Sequence, residues 1–341
     1  MKFTEGAEHS HEEATVVRPS YPQDWAAYNQ AQINEKDQFE LILKDLCATV
    51  EQPRQGTGRP RLPLSDVVFA CTLKVYSTIS GRRASSDVRS AKAKGLIDEA
   101  PHHNSISHYL RDPELTPVLV QLIRQAATPL KLVERDFAVD ATGFGTSMHD
   151  RWFDHKYGRD MRSRRFLKAH AIVGVKTNVV ADVEVTDSSV GDVSMYIDLI
   201  NSAAQRFTVK EISADKAYLS AANLLATEGI GAEPFIPFKS NSRSENPRFG
   251  IWERLFGLFW FERDRFLEHY HKRSNVEATF GAIKKKFGGS LRSKQFESQK
   301  NELLCKFLAH NIVVLIHEMY ELGIDPRGWD RVGGRGYPMP S

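Results

Sequence analysis

The chain has 341 residues, of which 26% are charged and 41% are hydrophobic, proportions that are ordinary for a globular protein and exclude an intrinsically disordered chain. Three widely spaced cysteines argue against a disulfide framework and predict a reducing compartment. The N-terminus has no apolar signal core, and no apolar run approaches the ~20 residues of a membrane span. We therefore expect a soluble, cytoplasmic protein that does not enter a membrane.

The net charge of +3 is too small to predict nucleic-acid binding, but the basic residues are unevenly distributed. They are concentrated in residues 156–176 and in residues 272–294, and each of these segments contains a single acidic residue. Two dense basic segments in a nearly neutral chain are typical of a groove that binds a polyanion. A solvated basic surface also explains either segment, so the charge pattern leaves both interpretations open.

The N-terminal third of the chain has only helical patterns. Residues 1–24 are polar and are predicted to form a disordered tail. From residue 25 to residue 130 short helices alternate with tight turns, and Ser65 is placed to cap one of them. This all-α domain is either a helix-turn-helix-like DNA-binding unit or a plain helical bundle. Its basic residues are Arg82, Arg83, Arg89, Lys92 and Lys94.

The hydrophobic pattern changes from a helical period to a period of two at Val133. The second and third predicted strands are joined by a hairpin turn at Thr177-Asn178, and helices follow the third, fourth and fifth strands. This order predicts a ribonuclease H-like mixed five-stranded sheet flanked by helices over residues 131–323, followed by a flexible tail at 324–341. The predicted strands are residues 133–144, 166–175, 179–185, 209–214 and 234–238.

The segment 270–287 carries the most information about function. An acid flanked by cations beside an apolar stripe suits a site that holds both a metal ion and a phosphate. An ordinary i,i+4 ion pair between Arg273 and Glu277 on a solvated face is the alternative. Further helices are predicted at residues 255–266 and after a cap at Ser298. On a single helix over 270–287, an arc of roughly 60° holds Tyr270, Arg273, Glu277 and Lys284.

Three acidic residues are predicted to converge from remote parts of the chain. Asp140 lies in the first strand and Asp215 at the carboxyl end of the fourth, and these two strands are neighbours in the predicted fold. Glu277, on a helix that packs against the sheet, approaches the same point. Such a cluster is costly to ionise without bound cations. Two Mg²⁺ ions roughly 3.5–4 Å apart, with Mn²⁺ as a substitute, would offset the repulsion and clamp the oxygens of a phosphodiester.

These residues resemble the DDE transposases of prokaryotic insertion sequences, specifically the group with a Tyr-x₂-Arg-x₃-Glu-x₆-Lys signature. Residues 137–142 and 214–218 look like the two aspartate blocks of that family. One departure is Ala217, which replaces the glycine of the usual Asp-x-Gly-Tyr block. Another is the 277 − 215 = 62 positions between the last two acids, too few for the large β-strand insertion of some relatives. The signature is matched at every spacing by Tyr270, Arg273, Glu277 and Lys284.

The resemblance implies a two-metal mechanism of DNA transposition with Asp140, Asp215 and Glu277 as metal ligands. Water would hydrolyse the strand at a transposon end, and the released 3′-hydroxyl would then attack target DNA. The implied partners are the terminal inverted repeats, the target DNA and a second copy of the chain in a homodimer. Phosphate contacts are implied for Arg273 and Lys284, and a sugar or base contact for Tyr270. Secondary candidates for backbone contacts are Lys168, Arg164 and Arg165 on the predicted hairpin.

Two other functions fit the same residues. A nuclease of this fold would cut DNA without strand transfer, since hydrolysis and transesterification use one kind of metal site. A non-catalytic DNA-binding regulator derived from a transposase is the second, although all three acids are present.

Trp252 and Trp260 are more consistent with core packing than with wedging an unstacked base.

Overall fold

The computed structural model describes residues 24–58, 60–146, 166–244 and 250–327. Its centre is a five-stranded mixed sheet flanked by helices, so the predicted fold class is confirmed. From one edge to the other, the strand order is β3-β2-β1-β4-β5, antiparallel among the first three and parallel among β1, β4 and β5. The strands are β1 (Asp136–Gly145), β2 (Phe166–Gly174), β3 (Val180–Asp187), β4 (Glu211–Ala214) and β5 (Glu233–Phe235).

Five helices precede the sheet and six accompany or follow its strands in the described part of the chain. The first five are α1 (Trp25–Cys47), α2 (Leu64–Tyr76), α3 (Gly81–Ala93), α4 (His103–Tyr109) and α5 (Leu115–Ala127). The others are α6 (Tyr196–Ala204), α7 (Ala221–Gly229), α8 (Gly250–Phe261), α9 (Arg263–Tyr270), α10 (Ser274–Phe287) and α11 (Phe296–Glu321).

The predicted hairpin between β2 and β3 is present, and its turn depends on Asn178. This residue has a φ of 62°, a left-handed conformation that asparagine tolerates better than most side chains. Its carbonyl accepts a hydrogen bond of 2.9 Å from Nε2 of the buried His310 on α11. The turn is therefore held from inside the protein as well as by its own backbone.

Helix α11 is the central helix of the core. By length and hydropathy it resembles a membrane span, but 89% of its apolar stretch is buried inside the protein. It packs against α1, α2, α5 and β3, and these elements share one hydrophobic core with the rest of the sheet. A division into two domains between residues 130 and 131 stays a prediction. Most of the two predicted terminal tails, residues 1–23 and 328–341, lies outside the described residues.

Three predicted helix boundaries were wrong. The helix predicted at 255–266 is divided at Glu262, which has a non-helical ψ of 50°. This break lets Phe266 turn back against Phe259, with ring centroids 5.0 Å apart. Helix α11 begins at Phe296 rather than after Ser298, and α2 begins at Leu64 after an N-cap at Pro63 rather than at Ser65.

The segment 270–287 is also not a single α-helix. Tyr270 ends α9, and a 3₁₀ turn at His271–Arg273 precedes α10. In that turn the Lys272 ammonium bonds Asp136 and Glu211, each at 2.7 Å, which ties the turn to the starts of β1 and β4. Because 3₁₀ geometry is tighter than α geometry, the common helical arc predicted for Tyr270 and Glu277 does not apply.

Candidate active site

Helix α10 and the turn before it lie along one face of β1. Side chains of alternate residues in a strand share a face, so residues 136, 140 and 142 project toward this helix. Each of the three receives a cation from the turn or the helix. The pairs are Lys272–Asp136 at 2.7 Å, Arg273–Asp140 at 2.7 Å and Lys284–Thr142 at 2.6 Å.

Asp140 and Glu277 are joined by one guanidinium group. Arg273 donates from Nη1 to Asp140 and from Nη2 to Glu277 at 2.5 Å. Burial raises the pKa of Asp140, and the charges of Glu277 and Asp215 act in the same direction. The backbone N–H of Ala141, which donates at 2.8 Å, and the Arg273 charge oppose that rise. Three carboxylates from remote parts of the chain therefore lie within electrostatic range of one another.

Asp215 owes its position to the parallel pairing of β4 with β1. Ala214 pairs with Val139 at the end of this ladder, so the next residue of each strand is an acid, and both acids lie on the same face. The Asp215 carboxylate accepts a 2.6 Å hydrogen bond from the backbone N–H of Lys216 and caps a short 3₁₀ turn. The turn role and the position beside Asp140 are thus compatible.

The three carboxylates are suitable ligands for a divalent cation, but their present positions are not those of a metal site. Carboxylate oxygens are the donors that Mg²⁺ and Mn²⁺ take in proteins. Among the described residues, however, no three His, Cys, Asp or Glu side chains are close enough to hold a metal as they stand. Between Asp140 and Glu277 the positive charge is that of Arg273. Holding a metal here requires Arg273 to give up these two partners.

Tyr218 adds an orphaned polar group to this region. Its side chain is almost fully buried, and its hydroxyl has no hydrogen-bond partner among the described residues. Burial raises the pKa of Tyr218, and the charges of Asp140, Asp192 and Asp215 raise it further. Sequence reasoning gave Tyr218 no role of its own, although its place three residues after Asp215 was a usable signal. An unpaired hydroxyl next to crowded acids is what a site built for further polar contacts would contain.

Comparisons with known proteins cover the part of the chain that holds these residues. Residues 131–312, more than half of the chain, match the family model described as the transposase DDE domain. The chain belongs to this transposase family. It is 24% identical over 304 residues to an uncharacterized protein of Aquifex aeolicus, covering 83% of this chain and 88% of the relative. It is also 27% identical over 183 residues to a probable insertion-sequence transposase of Archaeoglobus fulgidus, covering 53% of each. No solved structure matches the chain.

The resemblance to DDE transposases is thus confirmed, while assignment to the Tyr-Arg-Glu-Lys group stays a prediction. In this transposase Tyr270 is half-buried, stacks on Phe266 and lies 6.0 Å from the Arg273 guanidinium. Lys284 lies over the Phe144 ring at 5.1 Å, and burial lowers the pKa of its ammonium group. Lys284 therefore lies on the same face of β1 as Asp140, and Tyr270 lies beside Arg273.

The residues predicted as secondary DNA contacts do not lie beside the acids in the described structure. Lys168 pairs in register with Gly143, so it projects from the face of the transposase sheet opposite to Asp140. Its ammonium group bonds Asp192 at 2.8 Å and the Val190 carbonyl at 2.9 Å. Lys168 therefore already has internal partners, and a DNA contact there stays a prediction. Arg164 and Arg165 lie outside the described residues.

The two tryptophans have packing partners within the transposase. Trp252 packs edge-on against Phe238 at 5.0 Å and donates its indole N–H to the Arg243 carbonyl. Trp260, which is 45% exposed, contacts Phe256 and Phe259. These contacts are those of a small aromatic cluster on α8.

One further cluster near the acids was missed from the sequence. Glu211 accepts hydrogen bonds from Lys272 at 2.7 Å and from His269 at 2.9 Å. Burial acts to raise the pKa of Glu211, but these two partners outweigh it and lower the pKa. The cluster holds the 3₁₀ turn against the start of β4. Its member Lys272 directly precedes Arg273 in the chain. No local sequence pattern announces it, since its members are remote in the chain.

Proposed function

We propose that this protein is a DNA transposase of a prokaryotic insertion sequence, from the group with the Tyr-x₂-Arg-x₃-Glu-x₆-Lys signature. It cleaves DNA at the transposon ends and transfers the 3′-hydroxyl into target DNA, as a cytoplasmic protein that handles the two ends as a homodimer. The observation that carries the proposal is the Arg273 guanidinium joining Asp140 and Glu277, with Asp215 beside them on the same face. The Archaeoglobus relative, a probable transposase of an insertion sequence, supports the same reaction class.

Asp140, Asp215 and Glu277 would hold two Mg²⁺ ions, for which Mn²⁺ can substitute. When bound, the ions activate the attacking oxygen and stabilise the charge that develops on the scissile phosphate. The protein contributes a rigid frame for the ligands. Two of them come from adjacent parallel strands and the third from a helix that packs along the first strand.

Arg273 has two successive tasks in this proposal. Without a bound cation it neutralises Asp140 and Glu277, which would otherwise repel each other in a half-buried site. Once it leaves the carboxylates, its planar group is available for a phosphate of the transposon end, as a charge-assisted donor. Lys284 lies farther along the same face and would contact a neighbouring phosphate. Tyr270 would support the Arg273 side chain or contact a sugar.

The proposal is tested by an assay that supplies transposon-end duplexes, a target plasmid and Mg²⁺ or Mn²⁺. We expect both strand cleavage and joining to the plasmid. Glu277→Gln keeps the shape of the side chain but removes its charge, so it should abolish both steps while leaving end binding intact. Glu268→Gln, an exposed acid on α9, is the matched control and should behave as wild type.

Three results separate the alternatives. Cleavage without any joining would identify a nuclease instead. Specific end binding without cleavage in either metal would identify a regulator. Near-normal cleavage by Glu277→Gln would remove this residue from the set of metal ligands.

A further inference from the structure

A second basic feature lies away from the acids, where the N-terminal helices meet the segment that follows α10. It is a cleft of about 410 Å³ between α3, α4 and residues 292–298. No acidic side chain is among the described residues that line it. Its lining includes four cations and four hydroxyl side chains, Lys74, Arg111, Arg292, Lys294, Ser80, Ser107, Ser293 and Ser298.

Most of the positive charge in this cleft is not neutralised by the protein. In the described structure, Arg111, Arg292 and Lys294 form no ion pair, whereas Lys74 has the buried Glu302 at 4.0 Å. Arg111 and Lys294 are exposed. Unpaired cations with hydroxyl groups between them form a surface that suits the oxygens of a phosphate backbone.

The cleft wall is also held in place before any ligand arrives. The backbone N–H groups of Arg292 and Ser293 donate to the Glu302 carboxylate at 3.0 and 2.8 Å. The Arg292 guanidinium donates to the carbonyl of Thr78, two residues after the end of α2. Lys294 therefore projects from a segment that is anchored to α11 on one side and to the N-terminal helices on the other. Such preorganisation reduces the entropy cost of binding.

The sheet connects this cleft with the acids. Gly145, the last residue of β1, forms a bridge with Ser290, and Leu291 donates its N–H to the Gly145 carbonyl at 2.8 Å. From Asp140 to Gly145 the strand advances five residues, or about 17 Å at ~3.4 Å per residue. That length corresponds to about five base pairs of duplex DNA, at ~3.4 Å per step. Lys284 lies between the two sites along the same path.

We infer that this cleft binds phosphates of the transposon-end duplex, roughly five or more base pairs from the scissile bond. The inference rests on the proposed function for the nature of the ligand, and it assigns Arg111 and Lys294 to phosphate contacts. It unites the basic segment 272–294 with the N-terminal helices in one DNA-binding surface. The helices α3 and α4 then contribute to end binding by forming one wall of the cleft.

The test measures binding of labelled end duplexes by fluorescence anisotropy, without divalent metal, over a range of salt concentrations. The variant combines Arg111→Gln with Lys294→Gln, and the control combines Lys36→Gln with Lys131→Gln, two exposed lysines outside the cleft. We expect the cleft variant to bind 10- to 100-fold more weakly at ~0.1 M salt, with the log–log salt slope reduced by about 1.8, because two phosphate contacts are lost. The control should retain the wild-type slope.

Duplex length provides the second readout. When the arm on the cleft side is shortened below about five base pairs, wild type and cleft variant should bind equally, because the DNA no longer reaches the cleft. An unchanged slope, an equal loss on short duplexes, or a loss confined to target DNA would each overturn the inference. If the cleft variant lost affinity for free inorganic phosphate but kept wild-type binding of the end duplex, the cleft would be an anion site unrelated to DNA, and the inference would fail.

Failure of the proposed function would look different. In that case wild-type protein would bind end duplexes yet neither cleave nor join them, and the cleft variant could still show the predicted loss of salt slope. If the inference alone fails, the variant should cleave saturating end DNA at the wild-type rate and bind it with wild-type affinity. Thermal unfolding of the variant, expected to match the control, checks that both proteins are folded.

Discussion

Two groups of polar side chains in the described part of this protein differ in their partners. Along α11, they bond backbone groups of other elements. Asn311 donates to the carbonyls of Ile123 and Val180 at 3.0 and 2.8 Å and accepts from the Val180 N–H at 2.9 Å. Lys306, also on α11, donates to two carbonyls of residues 288 and 290. On the β1 face, by contrast, the acids bond a side-chain cation.

The difference lies in whether the partner can be exchanged. A backbone carbonyl inside the fold has no alternative position, so a side chain bonded to it is part of the architecture. Arg273 reaches its two acids through a flexible side chain, and Glu277 is 56% exposed, so solvent or a ligand can replace the pair. Fixed backbone partners thus mark a structural polar group here, and exchangeable side-chain partners mark the candidate site.

The largest effect is expected from breaking a fixed partner. Asn311→Ala leaves the N–H and the carbonyl of Val180 unpaired at the edge strand β3 and removes a third hydrogen bond, to the Ile123 carbonyl on α5, and each lost partner costs ~1 kcal/mol or more. We expect the free energy of unfolding to fall by about 3 kcal/mol, measured by urea denaturation. Asn201→Ala, an exposed asparagine on α6, should change it little.

If Asn311 has only a structural role, its substitution should lower stability without changing DNA binding. The Asn311→Ala protein that remains folded should bind end duplexes with wild-type affinity. A specific loss of cleavage with unchanged stability would place Asn311 in the site instead of the frame.

An intermediate effect is expected from removing the exchangeable partner. Arg273→Ala takes away the cation that competes with a metal for Asp140 and Glu277. Without DNA, we expect Mn²⁺ to bind about tenfold more tightly than to wild type, equivalent to ~1.4 kcal/mol of electrostatic competition. Mn²⁺ titrations followed by electron paramagnetic resonance measure this directly. Cleavage should nevertheless fall, because the phosphate contact is lost as well.

Lys285→Ala is the matched control, since it removes the same charge from an exposed position on α10. Equal tightening in both variants would mean that net charge, not competition, governs the affinity. Weaker Mn²⁺ binding in Arg273→Ala would show that Arg273 positions the carboxylates for the metal.

Much of this arrangement was predictable from the sequence because it depends on local patterns. The period-two pattern of the first strand placed Asp140, and the end of the fourth strand placed Asp215, because strand periodicity and termination are local properties. The four-residue spacing of Arg273 and Glu277 likewise allowed the ion pair between them, which was expected as the alternative to a site, because helical neighbours recur at that interval.

The rest depends on packing between remote segments. The bond from Arg273 to Asp140 spans 133 positions, and the anchoring of Lys272 to β1 spans 136. The break at Glu262 lets Phe266 pack back on Phe259, which periodicity does not register. The Tyr218 hydroxyl, which has no partner among the described residues, similarly follows from burial alone. Each is decided by tertiary contacts that override local preference.

The smallest effect comes from Glu318, a buried acid on α11 whose carboxylate has no hydrogen bond to the described residues. Burial raises its pKa to about 7, and the charges of Glu321 and Glu134 add to the rise. The folded protein then keeps this proton up to about pH 7, whereas the unfolded chain loses it near pH 4.5. Stability contributed by the protonated group is therefore lost as pH rises through this window.

Glu318→Gln should remove that loss, because the amide stays neutral at every pH. We expect its free energy of unfolding to exceed wild type by on the order of 1 kcal/mol at pH 8, a modest gain because Lys176 and nearby water screen the charge. Below pH 4.5 the two proteins should be equally stable, as urea denaturation at both pH values can show. Glu297→Gln, in the first turn of the same helix, should not reproduce the pH dependence. A gain that is independent of pH would indicate improved packing. Glu318 would then be a structural residue, like the other polar side chains of α11.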